Sequence, residues 1–460
     1  MRRVRRRWRT AVLAVTTASL GAGLGLPGQP GPAEAADVPP GRILTPDGDE
    51  SGYARMALPY NRDPRSRVTG ALVKDDDFAD GEGARCSASV IRSRTRDLLV
   101  TATHCAEDFG DKDSGNADEK AIAEAIEKGK DYTGPTGWSF VPAYNKWADS
   151  PAPYGRWKVT GIYSLGPSGE ADSIEDTSKD ITVLRVASSP TGEADKGRHK
   201  KIEDRTGYFT PLLNRAGRYR FTNLGYPADE PYSGHEMFRC DGRTHPATDD
   251  DGKDDGARVL ETRNCATTGG NSGGPWVEHY REYSLIGVLS GGSDPSDSDP
   301  DSHAPPLAPE TFGRLLARAD PKGTSLGHYD NLGFVQKKQD KPGKPTEVKR
   351  GKSMTQTATV RMGGKLAHAD VPITFELSKG QTFLSAEGAS CRAGGRTVHC
   401  LLRDIHPGSR QHRPIDLRTK VSEDAPDRLT TTAKLTSSQL DQNKEDNTVT
   451  LEAVAVKQPK

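Results

Sequence analysis

Ser272 is the residue whose surroundings most clearly suggest covalent chemistry. It stands in Gly269-Gly-Asn-Ser-Gly-Gly-Pro275, with a pair of glycines close on each side. Glycine lets the backbone turn tightly and approach other groups, so the hydroxyl can be exposed while nearby N–H groups converge on one point. A nucleophile with oxyanion donors needs that arrangement. A Gly/Ser-rich surface turn has the same composition, so the segment alone leaves both readings open.

Two upstream residues could supply a base and an orienting acid for Ser272. His104 directly follows the β-prone run at 98–103 and precedes Cys105. Asp180 immediately precedes a second β-prone run at 181–186. A histidine held at a strand end can act as a general base, and an aspartate can accept its N–H and fix its tautomer. Most histidines and strand-end aspartates are structural, so only the combination favours catalysis.

The order of these residues separates two nucleophile architectures. Residues 270–274 satisfy G-x-S-x-G, the nucleophile elbow of α/β-hydrolases, but that elbow needs a helix after the serine and the order Ser, Asp, His. Here Gly-Gly-Pro and strand-like residues follow, and the order is His104, Asp180, Ser272. That order is typical of chymotrypsin-type double barrels. Short β-prone runs at 68–73, 86–91 and 97–103 also favour an all-β barrel.

Three blocks resemble the signature segments of trypsin-like serine endopeptidases. They are Thr101-Ala-Thr-His-Cys105, Asp180-Ile-Thr-Val-Leu184 and Gly269-Gly-Asn-Ser-Gly-Gly-Pro275. A closer resemblance, to secreted bacterial enzymes of the glutamyl-endopeptidase (V8-like) branch and related actinobacterial enzymes, rests on Phe140-Val-Pro-Ala-Tyr144, Tyr154-Gly155, Gly225-Tyr-Pro227 and the run at 267–272. It extends over residues 68–319 and implies a chymotrypsin-like double β-barrel.

The resemblance implies a secreted serine endopeptidase that works through an acyl-enzyme. Ser272 would be the nucleophile, His104 the general base and then acid, and Asp180 the orienting acid. The N–H groups of Gly270 and Ser272 would form the oxyanion hole. Protein or peptide substrates are expected, with no cofactor and no metal. The alternative is an extracellular binding or adhesion protein with an inactive peptidase-like domain, against which the presence of all three triad candidates argues.

Departures from the family bear on activation. Asn271 occupies the position where digestive trypsin-like enzymes carry an aspartate that pairs with a newly cut N-terminal amine. An asparagine has no charge for such a pair, so we expect none, although Arg67-Val68 resembles an activation site.

Other departures bear on specificity. Ala266 replaces the aspartate that selects Arg or Lys, and Thr267 matches glutamyl endopeptidases, but their pocket histidine is replaced by Leu289. Without that cation a bound glutamate would be desolvated with little compensation, so we predict a small or apolar P1 residue. The predicted substrate-binding residues are Ala266, Thr267, Leu289, Ser290, Gly291 and Gly292.

The N-terminus predicts export. Residues 1–35 contain six arginines before an apolar stretch and end in an A-x-A pattern, the composition of a secretory signal peptide. The apolar stretch is interrupted by Thr, Ser and Gly, whereas a membrane anchor needs about 20 apolar residues. Removing the segment leaves a mildly acidic chain, and no basic stripe indicates nucleic-acid binding. We therefore expect an extracellular protein without a membrane span.

Six cysteines in an exported chain suggest three disulfides. Sequence permits 15 connectivities, and nearest-neighbour pairing is the simplest: Cys86–Cys105, Cys240–Cys265 and Cys391–Cys400. No clustered Cys/His spacing supports a zinc site. The acidic run 249–255 resembles a calcium loop only loosely, and a solvated loop is favoured there, as at 294–301.

Composition divides the rest of the chain. Residues 36–66 are predicted to form an N-terminal arm or short propeptide, 67–335 the peptidase-like domain and 336–349 a charged linker. Helical periodicity predicts helices over 116–130 and 309–319. Residues 350–460 alternate without helical periodicity and resemble bacterial extracellular Ig-like repeats, which implies a small β-sandwich. Its ligand could be a cell-wall polymer or a protein.

Overall fold

The structure is a computed structural model. It describes residues 43–169, 174–191, 201–215, 217–247, 259–279, 283–293, 301–335, 346–407 and 412–457. The predicted signal peptide, the acidic run 249–255, most of the acidic loop 294–301 and most of the predicted linker lie outside these residues. Within the described ranges, no helix has both the length and the hydropathy needed to cross a membrane.

Strands dominate the described chain. In its first half they are β1 (Ala54–Arg55), β2 (Thr69–Lys74), β3 (Cys86–Val90), β4 (Leu98–Thr101), β5 (Tyr132–Thr133), β6 (Trp138–Pro142), β7 (Trp157–Tyr163), β8 (Thr182–Val186), β9 (Thr210–Leu213), β10 (Arg220–Gly225), β11 (Phe238–Arg243) and β12 (His245–Pro246). They continue with β13 (Leu260–Thr262), β14 (Pro275–His279), β15 (Tyr283–Val288), β16 (Ser302–Ala304), β17 (Leu332–Phe334), β18 (Thr346–Lys349), β19 (Ser353–Met362), β20 (Ala367–Leu377), β21 (Gln381–Glu387), β22 (Ser390–Gly394), β23 (Thr397–Ile405), β24 (His412–Val421), β25 (Arg428–Leu435) and β26 (Thr448–Val456).

Helices are short and connect the strands. They are α1 (Pro64–Val68), α2 (Asp75–Asp80), α3 (Thr103–Glu107), α4 (Ala117–Glu127), α5 (Ile174–Thr177), α6 (Ile202–Thr206), α7 (Arg314–Ala319) and α8 (Pro321–Ser325), with a π turn at Pro309–Gly313 and 3₁₀ turns at Tyr60–Arg62 and Lys444–Asn447. The two predicted helices are therefore present. The second begins as a π turn.

The first barrel is closed and entirely antiparallel. Its six strands follow the order β7-β6-β2-β3-β4-β8, and β8 pairs back to β7. The interior is filled by fully buried apolar side chains such as Leu72, Val100, Phe140 and Trp157. This closure leaves no open edge strand in the barrel, and it confirms the predicted all-β fold class.

The second half forms another antiparallel assembly. Strands β1, β11, β10, β14 and β15 pair in that order, and β12, β13 and β16 form a smaller sheet. Bridges between Gly287 and Pro306 and between Gly291 and His303 join the two sheets. The ring of Trp276 stacks on Phe221 with centroids 4.1 Å apart. Trp276, which lies just after the Ser272 loop, thus belongs to a second core together with Phe221, Leu260 and Ile286.

The C-terminal region contains two facing sheets. One has the order β17-β19-β24-β21, and the other continues through β23, β20, β25, β26 and β18. Buried side chains from both sheets, including Val360, Phe375, Leu402 and Ile415, fill the space between them. Cys391 and Cys400 lie opposite each other in the β22–β23 hairpin and form a disulfide. This is the layout of a sandwich.

Strand pairing also runs between the barrels and the sandwich. β9 pairs in parallel with β15 on one side and with β20 on the other. β17 pairs with β19. The guanidinium of Arg215, just after β9, forms two hydrogen bonds with Glu278, of 2.6 and 2.9 Å, and one of 3.1 Å with Asp404 of β23. A shared sheet and the contact of buried Arg215 with the partly buried Asp404 thus connect the two regions.

Two local expectations differ from the structure. The strand predicted from Val68 begins at Thr69, because Asp63 caps α1 through the Arg65 N–H and this helix holds Val68. The run predicted to be strand to residue 103 ends at Thr101, and the chain turns into α3. His104 therefore lies in the first turn of a helix rather than directly on a strand end.

Candidate active site

The pairing of β4 with β8 brings His104 and Asp180 together. Thr101 lies opposite Thr182, so the residues just beyond these strand ends become neighbours. His104 Nδ1 is 2.9 Å from Asp180 Oδ2. A disulfide between Cys105 and Cys86 of β3 ties α3 to the barrel. The imidazole is thus held by one carboxylate and one covalent cross-link.

Asp180 is a buried carboxylate whose oxygens are occupied by donors. Its Oδ1 accepts the backbone N–H groups of Thr103 and His104, at 2.6 and 3.1 Å. Its Oδ2 accepts the Ser290 hydroxyl at 2.5 Å and faces the imidazole. Since the carboxylate accepts the hydrogen bond of Nδ1–H, the tautomer with Nε2 free to accept is favoured. Ser290, predicted to contact substrate, is thus also a partner of Asp180.

These contacts shift two pKa values in opposite directions. Burial lowers the pKa of His104, but the hydrogen bond and charge of Asp180, with the charges of Asp108 and Glu107, raise it above its ordinary value. Burial raises the pKa of Asp180, but the hydrogen bond and charge of His104, with the Ser290 hydroxyl, lower it below its ordinary value. The pair therefore favours an ionised carboxylate beside an imidazole that protonates readily.

The Ser272 loop is seated against the same part of the first barrel. Ser272 O accepts the Ser87 N–H at 2.7 Å. Gly273 adopts φ +76, and a Cβ there would lie 2.1 Å from Thr101 Oγ1 and 3.0 Å from Ala102 N. Only glycine permits that approach. The loop thus packs two residues from His104. In the part of the chain that the structure describes, the Ser272 hydroxyl does not form a hydrogen bond with the His104 imidazole.

The peptide groups beside Ser272 are oriented by their own contacts. Gly269 O accepts the Ala228 N–H at 2.7 Å. Because a trans peptide places its C=O and N–H on opposite sides, the N–H of Gly270 points away from Ala228. Among the described residues, neither this N–H nor that of Ser272 donates to a protein acceptor. Both donors are therefore available for a ligand oxygen.

Asn271 is fully buried and holds the loop from inside. Its Nδ2 donates to Asn223 Oδ1 at 2.6 Å and to Tyr53 Oη at 2.9 Å. Tyr53 in turn donates to Ala266 O at 2.8 Å, and the Ala266 N–H donates to Ser51 O at 3.0 Å. Burial raises the pKa of Tyr53 well above its usual range, so it stays a neutral donor. Tyr53 Oη thus contacts the residue before Ser272.

The residues predicted to bind substrate occupy three different environments. Ala266 and Leu289 are buried, and Leu289 belongs to the second core. Thr267 Oγ1 lies 2.9 Å from Gly291 O and 3.1 Å from Asp301 O. Gly292 is exposed. The Thr267 side chain thus directly contacts the backbone of the segment that contains Gly291.

Sequence reasoning did not find several of these contacts. Tyr53 and Asn271 are 218 positions apart, and no motif in the predicted arm marks Tyr53 as a partner of the loop. Ser87 carries no local signal either, although its hydroxyl donates to Gly270 O at 2.9 Å. Such contacts depend on the three-dimensional path of the arm and of β3.

No protein-family model and no curated protein matches the chain. Solved structures that resemble it include the protease Anisep from Arthrobacter nicotinovorans, with 20% identity over 55% of this chain and 98% of that chain and a TM-score of 0.38. A thermostable serine protease AL20 from an extremophilic microorganism has 18% identity over 56% and 99%, with a TM-score of 0.38. A Glu endopeptidase in complex with MPD has 16% identity over 61% and 100%, with a TM-score of 0.37.

Proposed function

We propose that this protein is a serine endopeptidase that hydrolyses peptide bonds through Ser272, His104 and Asp180. The observation that carries the proposal is the His104 imidazole, held at Nδ1 by buried Asp180 at 2.9 Å beside the glycine-flanked Ser272 loop. A buried, fully hydrogen-bonded carboxylate with a lowered pKa is suited to orienting a general base and stabilising its cation. Catalytic hydrogen bonds are commonly long without substrate and tighten on binding.

The mechanism follows from these roles. Ser272 Oγ attacks the peptide carbonyl while His104 Nε2 takes its proton. The N–H groups of Gly270 and Ser272 donate to the oxyanion that forms. The imidazolium then protonates the leaving amine, and the C–N bond breaks to leave an acyl-enzyme. Water, deprotonated by His104, releases the acid and regenerates the Ser272 hydroxyl.

We propose a small or apolar P1 residue. The contact of Thr267 Oγ1 with Gly291 O, at 2.9 Å, and the uncharged Ala266 and Leu289 support this preference. Because Thr267 contacts Gly291, a pocket between these residues has little room for a long side chain. A pocket without a fixed counter-charge would leave a charged P1 group desolvated.

We also propose that the protein is secreted. The structure contains disulfides between Cys86 and Cys105, Cys240 and Cys265, and Cys391 and Cys400. Disulfides persist in oxidising, extracytoplasmic compartments. The predicted signal peptide would direct the chain there. The domain boundaries at 67–335 and 350–460, and a cell-wall or protein ligand for the C-terminal region, remain predictions.

The test is labelling of the purified protein with a fluorophosphonate, followed by cleavage-site profiling on a peptide library. We expect one labelled serine, cleavage after small or apolar residues, and loss of both in Ser272→Ala. The matched control is Ser385→Ala, which removes an exposed hydroxyl in β21. Loss of the nucleophile in such triads lowers kcat by about 10⁶-fold.

The opposite outcome would favour the second class of function. A folded parent protein that neither reacts with the fluorophosphonate nor cleaves any library peptide would be an extracellular binding protein with an inactive peptidase-like domain. Equal labelling of Ser272→Ala and the parent would mean that another residue reacts.

A further inference from the structure

Three strands outside the candidate active site place two histidines on either side of a glutamate. In the sheet β12-β13-β16, His245 lies opposite Glu261, and Glu261 lies opposite His303. Residues directly opposite each other in antiparallel strands project their side chains on the same face, with Cβ atoms about 4.5–5.5 Å apart. The pairing therefore creates a row His–Glu–His across the sheet, and Asp301 adjoins its end.

The polar atoms of this row converge. His303 Nε2 lies 3.3 Å from Asp301 Oδ2 and 3.9 Å from Glu261 Oε2, and His245 Nε2 lies 3.5 Å from Glu261 Oε1. Tetrahedral zinc with bonds of about 2.0–2.2 Å requires ligand atoms about 3.3–3.6 Å apart. Glu261, Asp301 and His303 each place one ligand atom within 4.8 Å of the other two. His245 Nε2 contacts Glu261 Oε1 instead, so its side chain would have to rotate to complete a tetrahedral set.

Neighbouring groups fix the orientation of the outer members. His245 Nδ1 lies 3.2 Å from Pro246 O, and a hydrogen bond from Nδ1–H to this carbonyl leaves Nε2 as the free ligand atom. Asp301 Oδ1 accepts the N–H and the hydroxyl of Ser293, each at 2.8 Å, which leaves Oδ2 toward His303. Metal-binding histidines and carboxylates are typically held by such secondary hydrogen bonds.

We propose that His245, Glu261, Asp301 and His303 form a binding site for a divalent transition metal ion, with Zn²⁺ as the best fit. Two imidazoles with two carboxylates suit zinc better than calcium or magnesium, which prefer oxygen ligands alone. Glu261 is buried, whereas the side chains of His245 and His303 are 29% and 27% exposed, so an ion can reach them from solvent.

Two further observations bear on where a metal ion would bind. Arg263 Nε lies 3.3 Å from Glu261 Oε1, so a guanidinium competes with the metal for one ligand. Its side chain is 37% exposed. In the part of the chain that the structure describes, a second group of candidate ligands lies at His104, but it offers no thiolate, because Cys86 and Cys105 are joined in a disulfide.

The site lies next to the segment of residues 290–292, which is predicted to bind substrate. The His303 N–H donates to Gly291 O at 2.7 Å, and the Ser290 N–H donates to His303 O at 2.9 Å. A bound ion would link β16 to β13 and so restrict the movement of this segment. Metal binding itself does not depend on the proposed peptidase activity.

The test is calorimetric titration of tag-free Ser272→Ala protein, stripped with a chelator, with ZnCl₂ and separately with CaCl₂. The Ser272→Ala background prevents self-digestion and separates this test from the proposed function. We expect one equivalent of zinc, a higher Tm in its presence, and no comparable binding of calcium. His245→Gln and His303→Gln should each lower zinc affinity by more than tenfold, since changes behind a ligand alone cost about 10–100-fold.

Two further variants complete the design. His399→Gln removes an exposed histidine of β23 and should leave zinc affinity unchanged. Arg263→Gln should tighten binding, because it removes the competing cation from Glu261. Circular dichroism and Tm of each metal-free variant establish that it folds. The proposal is overturned if the folded parent binds no zinc, if both histidine variants bind as the parent does, if calcium is preferred, or if Arg263→Gln weakens binding.

Discussion

At the scale of single residues, Asp180 is the best-anchored group in the candidate site. It receives two backbone N–H groups, the Ser290 hydroxyl and the His104 imidazole. A carboxylate held by this many donors cannot rotate freely, so it restricts the imidazole to one orientation. The structure thus assigns Ser290 a contact that its position beside the two cleft glycines did not suggest.

The pKa shifts predict how activity depends on pH. The general base must be neutral, and the pKa of His104 lies above 6.5, so activity should fall as pH decreases through that raised value. Asp180→Asn removes the charge that raises the pKa and disturbs the tautomer, so we expect a loss of about 10⁴-fold in kcat. Rate–pH profiles of parent and variant measure both effects. A parent profile whose acid limb lies below 6.5 would contradict the assignment.

The same shifts affect stability with opposite signs. The raised pKa of His104 stabilises the fold fully below its unfolded value of 6.5, and this contribution is lost as pH rises through the folded value. The lowered pKa of Asp180 stabilises the fold above 3.8, and this contribution is lost as pH falls through the folded value. The pair therefore stabilises the fold most between about 3.8 and 6.5. The pH range in which the pair stabilises the fold most therefore lies below the pH range in which we expect the highest activity.

Tyr53 provides a second residue-scale prediction. Tyr53→Phe keeps the ring but leaves Ala266 O without its donor and Asn271 Nδ2 with only Asn223. An unsatisfied buried polar group costs about 1–3 kcal/mol, so we expect lower stability, slower fluorophosphonate labelling and a fall in kcat with little change in KM. Tyr208→Phe, at an exposed position, is the control. Equal labelling rates in both variants would show that Tyr53 does not position the loop.

At the scale of elements, the N-terminal arm is part of the folded body. β1 pairs with β11, and Tyr53, Met56 and Tyr60 are buried. Arg67 lies within α1, and its neighbour Val68 is buried. Cutting after Arg67 would therefore sever the covalent link to a strand that packs against the second core, rather than release an unpacked leader.

The corresponding prediction concerns where the mature chain begins. Each large buried side chain contributes about 1.5–3 kcal/mol, and a whole domain has only about 5–15 kcal/mol of stability. A protein beginning at Val68 should therefore fail to fold, while one beginning at Ala36 should fold. Solubility and far-UV circular dichroism of the two chains measure this, and N-terminal sequencing of the secreted form should find a start before Tyr53. A stable, active chain beginning at Val68 would contradict it.

The elements show what the sequence could predict and why. Alternating buried residues along β20 and β25 identified strands correctly, because that periodicity reflects a half-buried face. The end of β4 was wrong by two residues, because Thr103 and His104 take a helical turn stabilised by Asp180, which is distant in sequence. The row His245–Glu261–His303 was missed. The pairing of β12, β13 and β16 creates it, and this pairing leaves no fixed spacing between the three residues in the sequence.

At the scale of the whole molecule, the buried Arg215 contacts both the barrels and the sandwich, and its partner in the sandwich, Asp404, is 32% exposed. The Arg215 side chain is 4% exposed and contacts both Glu278 of β14 and Asp404 of β23. Its guanidinium also lies over the ring of Tyr219, 3.9 Å from the centroid. Removing one partner of a buried pair typically costs about 3–5 kcal/mol, because the other charge remains buried.

Arg215→Ala should therefore lower the free energy of unfolding by that amount, measured by urea denaturation. Arg428→Ala breaks an exposed pair with Glu452 and should change it by about 0–1 kcal/mol. Similar losses in the two variants would mean that the buried Arg215–Glu278 pair stabilises the fold no more than an exposed pair does. Composition predicted a linker between two regions, but the partners of Arg215 lie far along the chain and could not be inferred from any local pattern.

The parallel pairing of β9 with β20 has a consequence for how this molecule can be divided. Ala367 lies opposite Leu212, and His368 lies opposite Leu213, so backbone hydrogen bonds join segments that the chain connects only through residues 336–345. A nick there would leave two fragments that complement each other as a non-covalent pair. The C-terminal region is therefore not an interchangeable cassette: a transplanted copy would expose an edge of β20 that Leu212 and Leu213 cover here.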